Sequence, residues 1–304
     1  MPTKTEVAID GHTLTLSNLD KVFYRSSGFS KGQVIDYYAR IAPALLPHLA
    51  GRPVTLKRYP GGAADADFFY QKECPSHRPD WVNTAPVWSE GNDRNVNYCL
   101  IEDLPSLVWA ANLASIELHT SLSLARDVAT PTLLVFDLDP GPPAAMLECT
   151  QVALELRTVF DRHNLATFPK TSGSKGLQLY VPLNTPVSYD ETKSFARALA
   201  QLLEKQHPGR VVSKMAKKLR AGKVFVDWSQ NDEHKTTVCV YSLRAKDQPT
   251  VSTPVTWEEV EDAWKKQDAG LLSFDTVQVL RRFEQHGDLF APVLTLKQKL
   301  PRLP

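Results

Sequence analysis

The chain has 304 residues, of which 42% are hydrophobic and 23% are charged, as in a globular protein with a sizeable core. Its net charge of +1 excludes a globally basic surface, so a site for nucleic acid or phosphate must come from a local group of cations. No apolar run is long enough to cross a membrane, and the N-terminal stretch lacks the apolar region of a signal peptide, so we expect no membrane association. The cysteines show neither a CxxC pattern nor metal-ligand spacing, which predicts reduced thiols in a cytoplasmic protein: Cys74, Cys99, Cys149 and Cys239.

The first half of the sequence predicts a long helix, a basic strand and a second helix. Ser30 opens a capping-box pattern that is followed by apolar residues at helical spacing, but Pro43 and Pro47 predict a kink or a division of this helix. A strand is predicted at PVTLKRYP, and an irregular segment at residues 75–97, which are rich in Pro, Asn, Asp and Trp. A helix ending at His119 is predicted from LPSLVWAANLASIELH.

The second half predicts strands and helices in the order strand, helix, strand, strand, helix, strand. The strands are expected at residues 132–137, ATFPKT, LQLYVPL and KVFVDWS, and the helices at residues 144–163 and 191–206. Two strands follow each other across a short turn, which favours a ferredoxin-like, or RNA-recognition-like, α+β module over a doubly wound parallel sheet.

The stretch TLLVFDLDPG places two carboxylates at the end of an apolar strand. Asp137 and Asp139 are two residues apart on an extended chain, so their side chains point the same way. The two carboxylates repel each other unless a cation offsets their charge. Their oxygen atoms are suitable ligands for Mg²⁺ or Mn²⁺. The alternative is a solvated strand end with a turn-forming Asp before Pro-Gly.

Two further stretches supply groups suited to phosphate chemistry. TSGSKG predicts a turn in which backbone N–H groups and Lys175 can bind phosphate oxygens, although a plain hairpin turn has the same pattern. KVFVDWSQN ends a strand on a third acid, Asp227, whose alternative role is to cap a turn. A basic run beside it is either a solvated face or a contact for a phosphate backbone: Lys214, Lys217, Lys218, Arg220 and Lys223. Together these stretches predict a nucleotidyl-transfer site with two metal ions.

The sequence resembles the polymerase domain of bacterial DNA ligase D, of the archaeo-eukaryotic primase superfamily, in LVFDLDPG, TSGSKGLQLYVPL, KLRAGKVFVDWSQN, KTT and YSLR. The resemblance extends through LTLSNLDKVFY, SKGQVIDYYARIAPALLPHLAGRPVTLKRYP and DFFYQK. It implies an α+β, primase-like fold in which an RNA-recognition-like module packs on an N-terminal α/β module, with the active site in the cleft between them. It also implies one catalytic domain over residues 1–304, with a DNA-binding part at 1–130 and a catalytic part at 131–304.

The resemblance implies a template-directed polymerase that fills short gaps and extends ends at DNA breaks, in non-homologous end joining or gap repair, with a preference for ribonucleotides. Its substrates would be NTPs or dNTPs and DNA that carries a 5′-phosphate, and its cofactors two Mn²⁺ or Mg²⁺ ions. The expected partners are a bacterial ring-shaped end-binding protein and a DNA ligase. We expect a monomer that acts at the nucleoid, in the cytoplasm. The start at Met1 favours a free-standing relative over a domain cut from a longer protein.

The resemblance also implies roles for particular residues. The catalytic and metal-binding acids would be Asp137, Asp139 and Asp227. The nucleotide contacts would be Lys57, His119, Ser172, Lys175, Gln178, Gln230 and Arg244. The DNA contacts would be Asn18, Lys21 and Lys31 at a 5′-phosphate, Phe68 or Phe69 stacked on DNA, and Arg220 at the template. Taken singly, these residues have structural alternatives, such as exposed lysines and core aromatics.

The chain departs from this family at Gln178, where histidine is usual. A glutamine amide can donate to phosphate but carries no charge at any pH, which favours an alternative function as a non-catalytic module that binds DNA ends and 5′-phosphates. A second alternative is a phosphatase of the haloacid dehalogenase type, which also has two aspartates after an apolar strand. That motif lies near the N-terminus and has Thr or Val two residues after the second Asp, whereas Pro140 and Gly141 follow here in mid-chain. Residues 86–97 correspond to a family loop that pairs DNA ends, but their sequence does not decide whether they do so.

Overall fold

A computed structural model describes residues 4–301. These residues form two compact units. The first unit comprises the described residues up to Ser121, together with Thr236–Ser252 and Phe274–Asp288. The second unit comprises Leu122–Lys235, Thr253–Ser273 and the described residues from Leu289 onwards. The chain therefore passes from one unit to the other several times.

The elements are numbered in chain order over the described residues. The strands are β1 (Lys4–Ile9), β2 (His12–Ser17), β3 (Val22–Tyr24), β4 (Phe29–Ser30), β5 (Val54–Arg58), β6 (Phe69–Gln71), β7 (Thr84–Ser89), β8 (Arg94–Cys99), β9 (Ser115–Thr120), β10 (Ser123–Leu124), β11 (Asp127–Pro131), β12 (Leu133–Pro140), β13 (Phe168–Thr171), β14 (Leu177–Pro182), β15 (Val211–Val212), β16 (Val224–Asp227) and β17 (Thr237–Val238). The helices are α1 (Lys31–Leu49), α2 (Leu104–Asn112), α3 (Met146–Arg162), α4 (Tyr189–Gln206), α5 (Trp257–Lys266) and α6 (Thr276–His286). Within residues 4–301, none of these helices combines the length and the apolar character that a membrane span requires.

The first unit contains a sheet in the order β17-β9-β5-β8-β7, with β6 also paired to β5. Helices α2 and α6 pack against α1. The predicted capping box at the start of α1 is confirmed, because the Ser30 hydroxyl accepts from the Gln33 backbone N–H and the Gln33 side chain accepts from the Ser30 N–H. The predicted division of this helix is wrong, since α1 continues through Pro43 and Pro47. One face of this helix is buried, with Leu45 at 0% exposure. The free energy gained by this burial outweighs the loss of the backbone hydrogen bonds that the prolines cannot donate.

Strand β9 replaces the end of a predicted helix. Helix α2 ends at Asn112, so the prediction that His119 ends a helix is wrong, and His119 lies on a strand instead. Ala114, with φ 63°, ends the helical path. After it, Ile116 and Leu118 are both buried and alternate with polar residues, as in a strand with one apolar face.

The hairpin of β7 and β8 lies largely in the segment that the sequence predicted to be irregular, so that prediction is wrong for residues 84–89 and 94–97. The two strands pair from Thr84 with Cys99 to Ser89 with Arg94. The polar and turn-forming residues of this segment lie on the exposed side of the hairpin and at its tip, while Val96 is buried. The amino-acid composition of the segment therefore did not indicate that it forms strands.

Cys74 and Cys99 form a disulfide, so the prediction of reduced thiols is wrong for this pair. The backbone N–H of Cys74 donates to the Asn97 carbonyl at 2.7 Å, which brings Cys74 beside the end of β8. The two residues are 25 positions apart, and no sequence spacing marks their pairing. The other two cysteines, Cys149 and Cys239, are buried and do not take part in this disulfide.

The second unit contains a sheet in the order β13-β14-β12-β16-β15. Neighbouring strands from β13 to β16 are antiparallel, whereas β15 runs parallel to β16. With α3 following β12 and α4 following β14, the chain order and the sheet order are those of the predicted ferredoxin-like module.

One face of this sheet is covered by helices. Phe136 of β12 packs on Phe160 of α3, with ring centroids 5.5 Å apart, and Phe160 packs in turn near Phe195 of α4. Because successive side chains of a strand point to opposite faces, Asp137 and its neighbour two positions on lie on the face away from these helices. The same alternation that buries the apolar residues therefore presents the carboxylates together.

The Asn231 side chain extends the pairing of β12 beyond the end of β16. Its carbonyl oxygen accepts from the Val135 backbone N–H at 2.9 Å, and its amide donates to the Val135 carbonyl at 2.8 Å. Asn231 is fully buried. It therefore satisfies both backbone groups of Val135 in place of a strand partner.

We predict that Asn231→Ala lowers the free energy of unfolding by about 2–4 kcal/mol, because it leaves two buried backbone groups without partners. The measurement is equilibrium unfolding in urea. Asn92→Ala, at an exposed site in the β7–β8 turn, is the control and should change stability by less than about 0.5 kcal/mol. Equal effects of the two substitutions would contradict this account of Asn231.

Candidate active site

Four polar side chains form a row across the helix-free face of the sheet in the second unit. Asp137 of β12 is opposite Gln178 of β14 on one side and Asp227 of β16 on the other. Lys170 of β13 is opposite Gln178 and completes the row. Asp139 follows two positions after Asp137 on the same face of β12 and is exposed. The structure thus brings the three predicted acids to one edge of one face.

The charge on this row is not balanced by nearby cations. Burial, then the negative charges of Asp139 and Asp227, raise the pKa of Asp137 from 3.8 to about 7. A hydrogen bond from Gln178 and the positive charge of Lys170 oppose this rise without cancelling it. A half-buried carboxylate with this pKa indicates a site that lacks positive charge.

Asp227 is held in place by the short turn that follows β16. Its Oδ1 accepts from the Ser229 N–H at 3.0 Å and from the Ser229 hydroxyl at 2.6 Å. Its Oδ2 accepts from the Gln230 amide at 2.9 Å. Asp227 therefore both caps this turn and belongs to the row. Gln230 contacts the row through its hydrogen bond to Asp227.

Lys170 and Gln178 form a buried pair. Lys170 is fully buried, its ammonium donates to the Gln178 carbonyl oxygen at 2.5 Å, and it lies 5.4 Å from the centre of the Tyr180 ring. Because this bond uses the carbonyl oxygen of Gln178, its amide nitrogen is the atom that faces Asp137. Lys170 was absent from the sequence prediction, where a single lysine in a short strand gave no sign of burial.

The predicted phosphate turn follows β13. The Ser172 hydroxyl accepts from the backbone N–H groups of Ser174 and Gly176, at 3.2 and 3.1 Å, and so fixes the turn from within. Ser172 is buried, whereas Lys175 at the tip is exposed. The turn begins where the strand of Lys170 ends.

We tested whether the three carboxylates fit a divalent cation. Within residues 4–301, no group of three or more His, Cys, Asp or Glu side chains is arranged so that it could hold a metal ion. The donor set nevertheless fits a hard cation, because Asp137 and Asp139 share one face opposite Asp227 and the raised pKa of Asp137 reports their mutual repulsion. Side-chain rotation is the adjustment that such binding would require.

The basic run before β16 lies on the surface. Lys214, Lys217 and Lys218 are exposed. Arg220 is different, because its guanidinium stacks on the ring of Phe225 at 3.7 Å and donates to the Met215 carbonyl at 2.8 Å. Phe225 is opposite Asp139 in the sheet, so Arg220 is the cation of this run with a defined link to the row.

Three predicted nucleotide contacts meet in the first unit around Glu117, a residue that the sequence prediction did not include. Glu117 is 1% exposed. Its oxygens lie 2.9 Å from His119 Nε2, 3.5 Å from Lys57 Nζ and 3.3 Å from Arg244 Nε. Its position two residues before His119 on one strand is a signal that could have indicated it, had that segment been predicted as a strand.

Aromatic rings surround Lys57. Its ammonium lies 4.6 Å from the ring centre of Phe68, 5.2 Å from that of Tyr59 and 5.1 Å from that of Tyr70. Phe68 is 42% exposed and Tyr70 is 56% exposed, so the core alternative does not apply to these rings. Phe69 is also 42% exposed and lies over Arg58.

The three residues predicted to bind a 5′-phosphate lie close together in the first unit. The Lys21 N–H donates to the Asn18 carbonyl at 3.0 Å, and the Lys31 N–H donates to the Lys21 carbonyl at 2.8 Å. Burial, followed by the positive charges of Lys21 and Arg58, lowers the pKa of Lys31 to about 8. Lys31 is also the first residue of α1, so the N-terminus of that helix adds positive potential.

The fold belongs to a recognised class, the archaeo-eukaryotic primase-like fold. The chain is a member of the family described as LigD, primase-polymerase domain, whose profile matches residues 30–290. The expectation from the sequence motifs is therefore confirmed.

Two relatives and one solved structure show the extent of this similarity. The chain is 43% identical over 280 residues to the multifunctional non-homologous end joining protein LigD of Mycolicibacterium smegmatis, and covers 36% of its length. It is 32% identical over 275 residues to the bifunctional non-homologous end joining protein LigD of Bacillus subtilis, and covers 43% of that protein. These alignments include 91% and 90% of the chain. The polymerase domain of Mycobacterium tuberculosis ligase D in complex with DNA superposes with a TM-score of 0.84 at 40% identity, covering 92% of this chain and 98% of that one.

We predict that Asp137→Asn stabilises the metal-free protein at about pH 8 by about 2–3 kcal/mol and has little effect at about pH 5. The folded-state pKa lies above the unfolded value of 3.8, so the folded protein binds more protons and loses stability as pH rises from about 4 to about 7. Asparagine carries no charge at this position, so the variant does not lose this stability as pH rises.

The measurement is urea unfolding at both pH values in the presence of a chelator. Asp161→Asn, at an exposed carboxylate of α3, is the matched control and should give no pH-dependent gain. Equal stability of Asp137→Asn and the wild type at about pH 8 would contradict the repulsion inferred for the row.

Proposed function

We propose that this chain is a template-directed nucleotidyltransferase that adds nucleotides at gaps and ends of broken DNA. The observation that carries the proposal is that Asp137, Asp139 and Asp227 lie together on the face of a primase-like sheet away from its helices, beside a turn with a lysine at its tip. The family description names a primase-polymerase domain, and the relatives are named for non-homologous end joining. We extend these descriptions to the chain.

The carboxylates would bring the reacting groups together. Asp137, Asp139 and Asp227 would hold two divalent cations, Mn²⁺ or Mg²⁺, which when bound neutralise phosphate charge and favour ionisation of the attacking hydroxyl. The Asp227 carboxylate, oriented by Ser229 and Gln230, would accept the proton of the primer 3′-hydroxyl. The 3′-oxygen would then bond to the α-phosphorus as pyrophosphate leaves.

The remaining residues of the second unit would bind the nucleotide and the template. The ammonium of Lys175 and the N–H groups of the Ser172 turn would contact triphosphate oxygens. The Gln178 amide would donate to a phosphate or to Asp137, and Gln230 would contact the nucleotide from the other side of Asp227. Arg220 would contact the template strand, its guanidinium held in place by Phe225.

The first unit would bind the nucleotide and the downstream DNA. Lys57 and Arg244 would provide positive charge for the nucleotide, and His119 would contact its sugar, which is the basis of a proposed preference for ribonucleotides. Asn18, Lys21 and Lys31 would bind a 5′-phosphate, whose negative charge would offset the repulsion of Lys31 by Lys21 and Arg58, the causes that add to burial in lowering the pKa of Lys31. Phe68 or Phe69 would stack on a base, as exposed rings near basic residues do in single-strand binding proteins.

Further parts of the proposal come from the family. The chain would act as one catalytic domain and as a monomer, on nucleoid DNA in the cytoplasm. Its partners would be a ring-shaped end-binding protein and a DNA ligase.

A second candidate is a non-catalytic module that binds DNA ends. It is favoured by Gln178, which replaces the usual histidine with a neutral amide, and by the finding that, within residues 4–301, no three His, Cys, Asp or Glu side chains are arranged to hold a metal ion. In this case the group of Asn18, Lys21 and Lys31 would bind DNA while the row of carboxylates would have no catalytic role.

We predict that the protein adds nucleotides to a primer at a short gap in Mn²⁺, more with ribonucleotides, and less when the downstream 5′-phosphate is removed. Asp139→Ala should lower the rate by roughly a hundredfold or more, because a carboxylate that would hold the divalent cations is lost. The measurement is primer extension on matched gapped duplexes, with Asp161→Ala as the control for a carboxylate outside the row.

The outcomes separate the two candidates. Templated addition that requires Asp139 supports nucleotidyl transfer. Binding that depends on the 5′-phosphate, without addition in either Mn²⁺ or Mg²⁺, supports the end-binding module. A thermal shift on adding Mn²⁺, absent in Asp139→Ala, would show cation binding independently of activity.

We also predict that Gln178→Leu raises the KM for nucleotide by roughly tenfold, because it removes one hydrogen-bond donor from the row. Gln178→His keeps a ring N–H donor and should stay within a few-fold of the wild type. Steady-state kinetics on a gapped duplex measure both variants, and urea unfolding shows whether the Leu variant is folded. A Leu variant with wild-type KM would remove Gln178 from nucleotide binding.

A further inference from the structure

We propose that Glu117 is a positioning residue that fixes the tautomer of His119, so that Nδ1 of His119 accepts a hydrogen bond from the ribose 2′-hydroxyl of a bound nucleotide. The inference deepens the proposed function and rests on it for the identity of the ligand. It assigns sugar selection to a carboxylate that would itself make no contact with the nucleotide.

Glu117 and His119 are paired on β9. They are two residues apart and point to the same face of the strand, and His119 Nε2 lies 2.9 Å from Glu117 Oε2. Although burial opposes its ionisation, the hydrogen bond from His119 and the positive charge of Arg244 hold the pKa of Glu117 well below its usual range. Glu117 is therefore an ionised acceptor, and the proton in this bond belongs to Nε2.

The surroundings of His119 favour its neutral imidazole. Burial lowers its pKa below the usual value of 6.5, and the charges of Arg244 and Lys57 lower it further, against the opposing effect of Glu117. A neutral imidazole has one donor and one acceptor nitrogen, so a proton on Nε2 leaves Nδ1 as an acceptor. Within residues 4–301, the bond to Glu117 is the one hydrogen bond of the His119 side chain, and Nδ1 has no protein partner there.

The other oxygen of Glu117 fixes the orientation of the carboxylate. Oε1 accepts from the Tyr59 hydroxyl at 3.1 Å and from the Ala245 backbone N–H at 3.2 Å, and Lys57 Nζ lies at 3.5 Å. These neighbours are donors, so this side of residue 117 requires an oxygen atom. In a Glu117→Gln variant the amide oxygen would remain on the side of these three donors, and the amide NH₂ group would face His119 and the more distant Arg244 Nε, which lies 3.3 Å from Oε2.

The substitution therefore reverses the tautomer. An NH₂ group opposite Nε2 needs a lone pair on that nitrogen, so the proton of the neutral ring moves to Nδ1. Nδ1 then becomes a donor and no longer accepts from a 2′-hydroxyl. A deoxyribonucleotide lacks this hydroxyl and is affected less than a ribonucleotide.

The first measurement is the tautomer itself. Nitrogen NMR of the ¹⁵N-histidine-labelled protein distinguishes a protonated from an unprotonated ring nitrogen, and His119→Ala identifies the His119 signals among those of the 8 histidines. We expect a protonated Nε2 in the wild type and a protonated Nδ1 in Glu117→Gln. Glu284→Gln, at an exposed carboxylate of α6, is the matched control.

The second measurement is the ratio of affinities for an NTP and its matching dNTP, taken by equilibrium titration so that it does not depend on turnover. We expect Glu117→Gln to lower this ratio by roughly tenfold, the effect of one lost hydrogen bond. In a His119→Ala background the same substitution should leave the ratio unchanged, because the two residues act as a unit.

An unchanged tautomer in Glu117→Gln, or an unchanged ratio despite a reversed tautomer, overturns the inference. Equal loss of NTP and dNTP binding with lower stability assigns Glu117 a purely structural role and also overturns it. Failure of the proposed function is distinguishable, since a wild type that adds no nucleotide to a gapped primer would still give a tautomer and an affinity ratio. A wild type that binds neither nucleotide overturns both proposals.

Discussion

Repulsion among the carboxylates is the main constraint on the polar face of the sheet in the second unit. Asp137 lies between Gln178 and Asp227 in a sheet whose other face is buried under α3 and α4. The apolar face supplies the stability, and the polar face carries an unfavourable charge that only a bound cation or a proton can offset. A site of this kind costs folding free energy when empty and regains it on binding, which is typical of a functional site and not of a structural one.

The first unit has the opposite balance of charge. There a single buried carboxylate, Glu117, is surrounded by Lys57, Arg244 and the imidazole of His119, so two positive groups face one negative group. Such a cluster attracts phosphate, while the carboxylate prevents the cations from repelling one another apart. One unit therefore presents acids in need of cations, and the other presents cations that suit an anionic ligand.

The shared face of the acids on β12 could be predicted from the sequence because strand alternation is a local property. Asp137, Asp139 and Gln178 fall on the correct face as soon as their strands are recognised, and the turn after Thr171 follows from its glycines. Glu117 and the Cys74–Cys99 disulfide depend instead on contacts between distant parts of the chain, which periodicity does not encode. His119 was assigned to a helix because an apolar run of that length suits either structure, and the φ of 63° at Ala114 decides between them.

Close backbone packing explains why the end of β12 holds its carboxylates at fixed positions. A Cβ atom at Gly176 would lie 2.0 Å from the Leu138 carbonyl oxygen, and one at Gly141 would lie 2.0 Å from the Arg220 carbonyl oxygen. Neither contact is possible for a side chain, so both positions need glycine for the chains to approach. The strand end between Asp137 and Gly141 is thus held by backbone on both sides. The carboxylates can turn about their side-chain bonds to meet a ligand, but the backbone that carries them cannot retreat from their mutual repulsion.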